Sequence, residues 1–105
     1  MSLGMGPTAE RRDARERVIA YYQASLATLV EHVAVAIDGY RAGELDTAKV
    51  DEVIYQYHRA ARELWKFCLA GGADLDYIAD TITQHQNEGR AIDWWQRGAP
   101  RNRKD

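Results

Sequence analysis

VAVAIDGYRAGELDTAKVDEVIYQY, residues 33–57, is the stretch whose reading decides the fold. Apolar residues run up to Tyr40 at helical spacing, pause at Gly43-Glu44-Leu45-Asp46, and resume at the same spacing from Val50. A glycine just past a periodic run supplies a left-handed helix stop, and an aspartate just before the next run is a natural N-cap. So short a connection sends the second helix back along the first. The stretch predicts an antiparallel helical hairpin.

Both arms extend well beyond it. Upstream, Ile19, Tyr22, Leu26, Leu29, Val33, Ala36 and Tyr40 recur at alternating threes and fours, a seam widened by Val18, Val30 and Ile37. This predicts a helix from Thr8 to Ala42, with Thr8 as N-cap after Pro7. Gly39 should weaken its last turn by about 1 kcal/mol relative to alanine. Downstream, Val50, Ile54, Tyr57, Ala61, Leu64 and Cys68 predict a second helix from Thr47 to Ala70, stopped by Gly71-Gly72. With the turn centred between residues 44 and 45, facing positions sum to roughly 89. Tyr40 then faces Val50, Val33 faces Tyr57, Leu26 faces Leu64 and Tyr22 faces Cys68. Leu29 meets Ala60 and Ala61, large against small, which suits close packing.

A third helix is expected from an N-cap at Asp74 to about Asn87, with Leu75, Ile78, Ile82 and His85 as its stripe. Gly89 breaks it. Arg90 to Gln96 then form a short fourth helix, with Ile92 and Trp95 one turn apart. The expected fold is all-α: a long antiparallel helical hairpin with a third helix and a short fourth helix packed across it. The chain of 105 residues has one domain's length. Residues 8–97 are assigned to that domain, 1–7 to a disordered N-terminus (1–4 read as an expression scar), and 98–105 to a basic disordered tail.

The only prolines are Pro7 and Pro100, so the span between them lacks the strongest helix breaker. No unbroken run of eighteen apolar residues occurs, and no membrane-spanning helix is expected on that ground. MSLGMGPT lacks the apolar core of a signal peptide, and Cys68 has no partner for an intrachain disulfide. The expected location is cytoplasmic. The net charge of −2 is unevenly spread: residues 18–96 hold six Lys/Arg and twelve Asp/Glu, while 8–17 and 97–105 are basic. An acidic body repels phosphate backbones and disfavours nucleic-acid binding by the core.

Length and aromatic placement carry the functional reading. A helix from Thr8 to Ala42 is ~52 Å long and its partner ~36 Å, so the charged start ERRDARER should overhang, solvated or against a second chain. Tyr21-Tyr22, Tyr55/Tyr57 and Trp94-Trp95 are neighbouring aromatic pairs that no single helical stripe accommodates, so each implies a second occupied face. Trp95, one turn from Ile92, is expected to lock the fourth helix onto the bundle. Trp94 is expected to seal the bundle end or enter a partner interface, with Tyr21 and Tyr55 as further interface candidates.

No catalytic, cofactor or metal site is expected. The residues three before His32, His58 and His85 are Leu29, Tyr55 and Ile82, so the Glu-x-x-His pattern of di-iron bundles is missing. His32 and His58 flank their seams as surface residues, while His85 reads as a hydrogen-bonded core histidine. Cys68 lies in a seam and reads as a small buried hydrophobe rather than a nucleophile. Gly71-Gly72 precedes the acids Asp74 and Asp76 and makes no phosphate loop. Asp51-Glu52 complement a helix dipole.

The leading expectation is a non-catalytic, cytoplasmic protein–protein interaction module, homodimeric along the hairpin. The alternative is a nucleic-acid-associated regulator. It would use Gln84, Gln86, Asn87 and Arg90 at the end of the third helix, with Arg101, Arg103 and Lys104 in the tail. Against it, a recognition helix reads bases from its N-terminal part, which here is DLDYIAD and acidic.

Overall fold

The computed structural model describes residues 7–70 and 74–100. Among them the chain is all-α, without strands: α1 spans Pro7–Arg41, α2 Thr47–Trp65 with a π-helical turn over Lys66–Ala70, α3 Leu75–Asn87, and α4 Trp94–Arg97. α1 packs on both α2 and α3, and α4 packs on α2.

The hairpin forms for the local reasons its sequence states. α1 starts at Pro7, where the missing N–H costs nothing in a first turn, so Thr8 lies just inside the helix rather than capping it. Gly43 adopts φ +80, and Glu44 N–H closes the turn on Gly39 O at 2.8 Å. Asp46 caps α2, its Oδ1 accepting from Lys49 N–H at 2.9 Å. Gly39 does not break α1. A Cβ there would meet the Leu45 side chain at 3.2 Å, so the glycine makes room for the loop leucine.

The core is Ala14, Val18, Leu29, Ala36, Ala60, Leu64, Cys68, Ile78, Ala79, Ile82 and Trp94. Leu29 and Ala60 are both fully buried, in keeping with large packed near small. Elsewhere the buried line is turned from the expected seam. Val18 is inside where Ile19 was expected, and Ala60 is more deeply buried than Ala61. Ile54 and Tyr40, both expected in the seam, are 44% and 46% exposed. The reason is the side on which α3 and α4 cover the hairpin, which draws the centre of burial toward them.

α3 runs from Leu75, capped by Asp74, to Asn87, as expected, with Gly89 at φ +69 beyond it. It also covers one side of the expected overhang, whose charged residues from Arg11 to Arg17 stay exposed. Ala14 and Val18 are 2% and 0% exposed, and Arg17 donates to Ala79 O at 3.4 Å and to Thr83 Oγ1. α3 thus covers the apolar side of this end of α1, at Ala14 and Val18. Asp13 and Arg17 still pair at 3.9 Å on the outer side.

α4 starts at Trp94, four residues later than expected, because Asp93 caps it by accepting from Gln96 N–H at 3.1 Å. That shift inverts the two tryptophans. Trp94 is the lock: 5% exposed, its Nε1–H donates to Tyr21 Oη at 2.8 Å, and its ring lies 5.3 Å from that of Phe67. Trp95 is half-buried and stacks on exposed His32, centroids 4.1 Å apart and planes 1° apart. Trp94 thus takes the first of its two expected places, sealing the bundle rather than entering a partner interface, and its hydrogen-bond partner Tyr21 is half-buried beside it.

The start of the expected tail is also packed. Gly98 lies flush on α2, where a Cβ would come within 2.5 Å of Ala60 N and 2.6 Å of Gln56 O. Gln56 Nε2 donates to Trp95 O at 2.9 Å and Arg59 Nε to Gly98 O at 2.7 Å, so α2 satisfies carbonyls that the short helix leaves open at its end. Residues 1–6 and 101–105, and with them the scar and most of the expected tail, lie outside the described residues.

Candidate functional site

Two antiparallel helices share a simple rule. Successive residues on a helix are turned by ~100°. On both arms of an antiparallel pair, the position after each buried residue therefore turns toward the same side. Here those positions are Arg15 after Ala14, Ile19 after Val18, Val30 after Leu29, Ile37 after Ala36, Ala61 after Ala60, Trp65 after Leu64 and Leu69 after Cys68, apolar in all but the first. α4 occupies the opposite side, reached by Tyr21, His32, Gln56 and Phe67.

What results is an open, apolar face running the length of the hairpin. Ile19, Val30, Tyr40, Ile54, Trp65 and Leu69 are 38–48% exposed along it. Half-buried Leu26, Val33, Ile37, Val50, Tyr57 and Ala61 fill its floor by helical spacing. Soluble monomers rarely expose contiguous apolar patches larger than a few hundred Å². At the turn end the face narrows to a hollow lined by Tyr40, Thr47, Val50, Asp51 and Ile54. Glu16, Arg41, Asp51 and Arg62 sit on its rim by helical position, Arg15 lies at its N-terminal end, and exposed His58 falls between Ile54 and Trp65.

Of the three expected interface residues, only Tyr55 is well exposed, at 60%. It lies off this face, beside a hollow lined by Lys49, Glu52, Val53, Gln56, Arg59 and Pro100. Sequence reasoning passed over Trp65, Leu69 and Ile19 as surface residues. The signal was present: an apolar residue directly after a seam residue, repeated on both helices.

The other candidate residues do not assemble a chemical site. Gln84, Gln86, Asn87 and Arg90 are exposed at the end of α3, as its length requires. Glu88 sits among them, accepting from Gln84 Nε2 at 3.2 Å and pairing with Arg90 at 2.5 Å, so an acid engages the groups that would meet phosphate or bases. Arg101, Arg103 and Lys104 lie outside the described residues. His85 is half-buried, but its Nδ1 is buried without a hydrogen-bond partner, unlike the satisfied core histidine expected. It borders a shallow hollow with Arg90, Asp93, Gln96 and Arg97, in which Arg97 lies 5.3 Å over the Trp94 ring. Among the described residues no three His, Cys, Asp or Glu side chains converge as metal ligands. Burial pushes the Cys68 thiol up to about 11, so little nucleophilic thiolate forms near neutral pH.

α1 carries one further property. Within Arg11–Arg41 it is long and apolar enough, at a mean hydropathy of 1.2, to cross a membrane by length and composition. The unbroken-run criterion missed this because Tyr, Gln, Ser, Thr and a single Glu are averaged away over eighteen residues. A packed core helix passes the same test, but only 11% of this stretch is buried, although α1 packs on α2 and α3.

No protein-family model, curated protein or solved structure matches the chain.

Proposed function

We propose that this chain is a non-catalytic protein–protein interaction module of the cytoplasm, and that the open face of the hairpin is its working surface. The observation that carries the reading is the line of half-exposed Ile19, Val30, Ile54, Trp65 and Leu69 on one side of a hairpin whose other side is already covered. Apolar area left in water on that scale is unfavourable, at ~25 cal/mol per Å², until something covers it. An unpaired, buried thiol at Cys68 fits a reducing compartment. The nucleic-acid alternative has less support, since Glu88 engages both Gln84 and Arg90.

Side-chain footprinting tests the reading without knowledge of the partner. Trp65 should be protected in intact cells relative to the purified, diluted chain, while Tyr55 and Tyr77 label equally in both. Equal labelling of Trp65 in the two settings would sink the proposal.

A further inference from the structure

The face has the length, width and charge pattern of one half of a four-helix bundle. From Ile19 to Tyr40 it runs ~32 Å along α1, and two helices side by side make it ~20 Å wide. That footprint, roughly 650 Å², approaches the ~800 Å² that each partner contributes to a stable interface.

Charge and symmetry point to the occupant. The face has no Asp, Glu, Lys or Arg along its centre, so a second copy turned onto it brings no like charges of these groups together there. Its rim carries both signs, at Glu16, Arg41, Asp51 and Arg62. An antiparallel pair rotated half a turn about an axis lying between two such layers places antiparallel helices opposite each other. This is the arrangement in which four helices close a common core. Symmetric pairing of identical patches is also the commonest form of assembly. We infer that the occupant of the open face is a second copy of this chain, and that two hairpins join face to face in a four-helix bundle. α3 and α4 then lie on the two outer sides. This rests on the reading of the face as an interaction surface and names its partner.

The test is the absolute mass of the full chain by light scattering on a sizing column, across a hundredfold dilution, with circular dichroism on every variant. The wild type is expected at twice 11.9 kDa. Val30→Glu and Ile54→Lys each place a charge at a position half exposed in the single chain. Both should give monomers at the concentration where the wild type is dimeric, with helix content unchanged. Tyr77→Lys, on 67% exposed Tyr77 of α3, should remain dimeric. A wild type monomeric at every concentration overturns the inference, as does a dimer that survives both face variants together. If the purified chain is monomeric while Trp65 is protected in cells, the second copy is ruled out and the interaction reading stands. Retention of the wild type on phosphatidylcholine–phosphatidylglycerol vesicles, lost in Val30→Glu, with no dimer formed, would replace both with a lipid surface.

Discussion

The indole Nε1–H of Trp94 donates to the Tyr21 hydroxyl at 2.8 Å, joining residues 73 positions apart. The bond ties the short C-terminal helix to the middle of the longest one. Phe67 of the π turn completes the cluster, its ring 6.3 Å from Tyr21 and 5.3 Å from Trp94. Cys68, next to Phe67 in the same turn, is fully buried.

Tyr21→Phe removes the acceptor and leaves a buried indole N–H unpaired. The expected loss is ~1–3 kcal/mol of folding stability, read as a lower urea midpoint at unchanged slope. Trp94→Ala should cost more, ~3–5 kcal/mol, through the cavity it opens. Because both side chains act inside one chain, the mass of either variant in solution should match the wild type wherever it remains folded. A variant that altered association while leaving the urea midpoint in place would contradict this placement.

Gly98 and Gly43 are both required, for different reasons. At Gly98 an added methyl would overlap the backbone of α2 at Ala60 and Gln56, which cannot move aside as a side chain would. Gly98→Ala is expected to cost ~1–3 kcal/mol and to loosen α4, seen as faster amide exchange over residues 94–98. Gly43 has open space around it but sits at φ +80. Gly43→Ala should cost ~1–2 kcal/mol from the left-handed backbone alone. Gly43→Asn should recover part of it, whereas Gly98→Asn should be worse than Gly98→Ala.

Cys68 sets an alkaline limit to stability. Its folded-state thiol is held at about 11 by burial, above the 9.0 of an exposed cysteine. The unfolded chain therefore releases its proton first as pH rises. Stability from this group is at full value below pH 9 and falls between 9 and 11, by ~2–3 kcal/mol in all. Cys68→Ala should flatten that part of the pH profile while lowering stability at pH 7 slightly. An unchanged alkaline slope in Cys68→Ala would show that other groups control it. The same burial predicts that a thiol reagent reacts with the folded chain at the rate of unfolding.

Arg17 fastens the N-terminal part of α1 to α3 through Ala79 O and Thr83 Oγ1. Arg17→Met keeps the aliphatic stem and removes the donors. It should cost ~1 kcal/mol, concentrated in faster amide exchange of α3, with the hairpin unaffected. Uniform acceleration across α1 and α2 would argue against so local a role.

The amino-acid sequence by itself determined the elements and their order. Helix spacing, the stop at Gly43, the caps at Asp46 and Asp74 and the break at Gly89 all act between residues a few positions apart, where chain connectivity already supplies the proximity. Tertiary structure alone decided which side of the hairpin is inside. Both arms carry apolar stripes wider than their mutual contact, so either flank was available for α3 and α4. The choice was made by contacts such as Arg17 to Thr83 and Trp94 to Tyr21, between residues 66 and 73 positions apart. That choice placed Trp94 in the core, set Trp95 against His32 and pressed Gly98 onto Ala60. It also left Ile19, Val30, Ile54, Trp65 and Leu69 facing outward. Periodicity specifies a stripe to within a turn of the helix, but one residue is ~100° of rotation, and only packing resolves that angle.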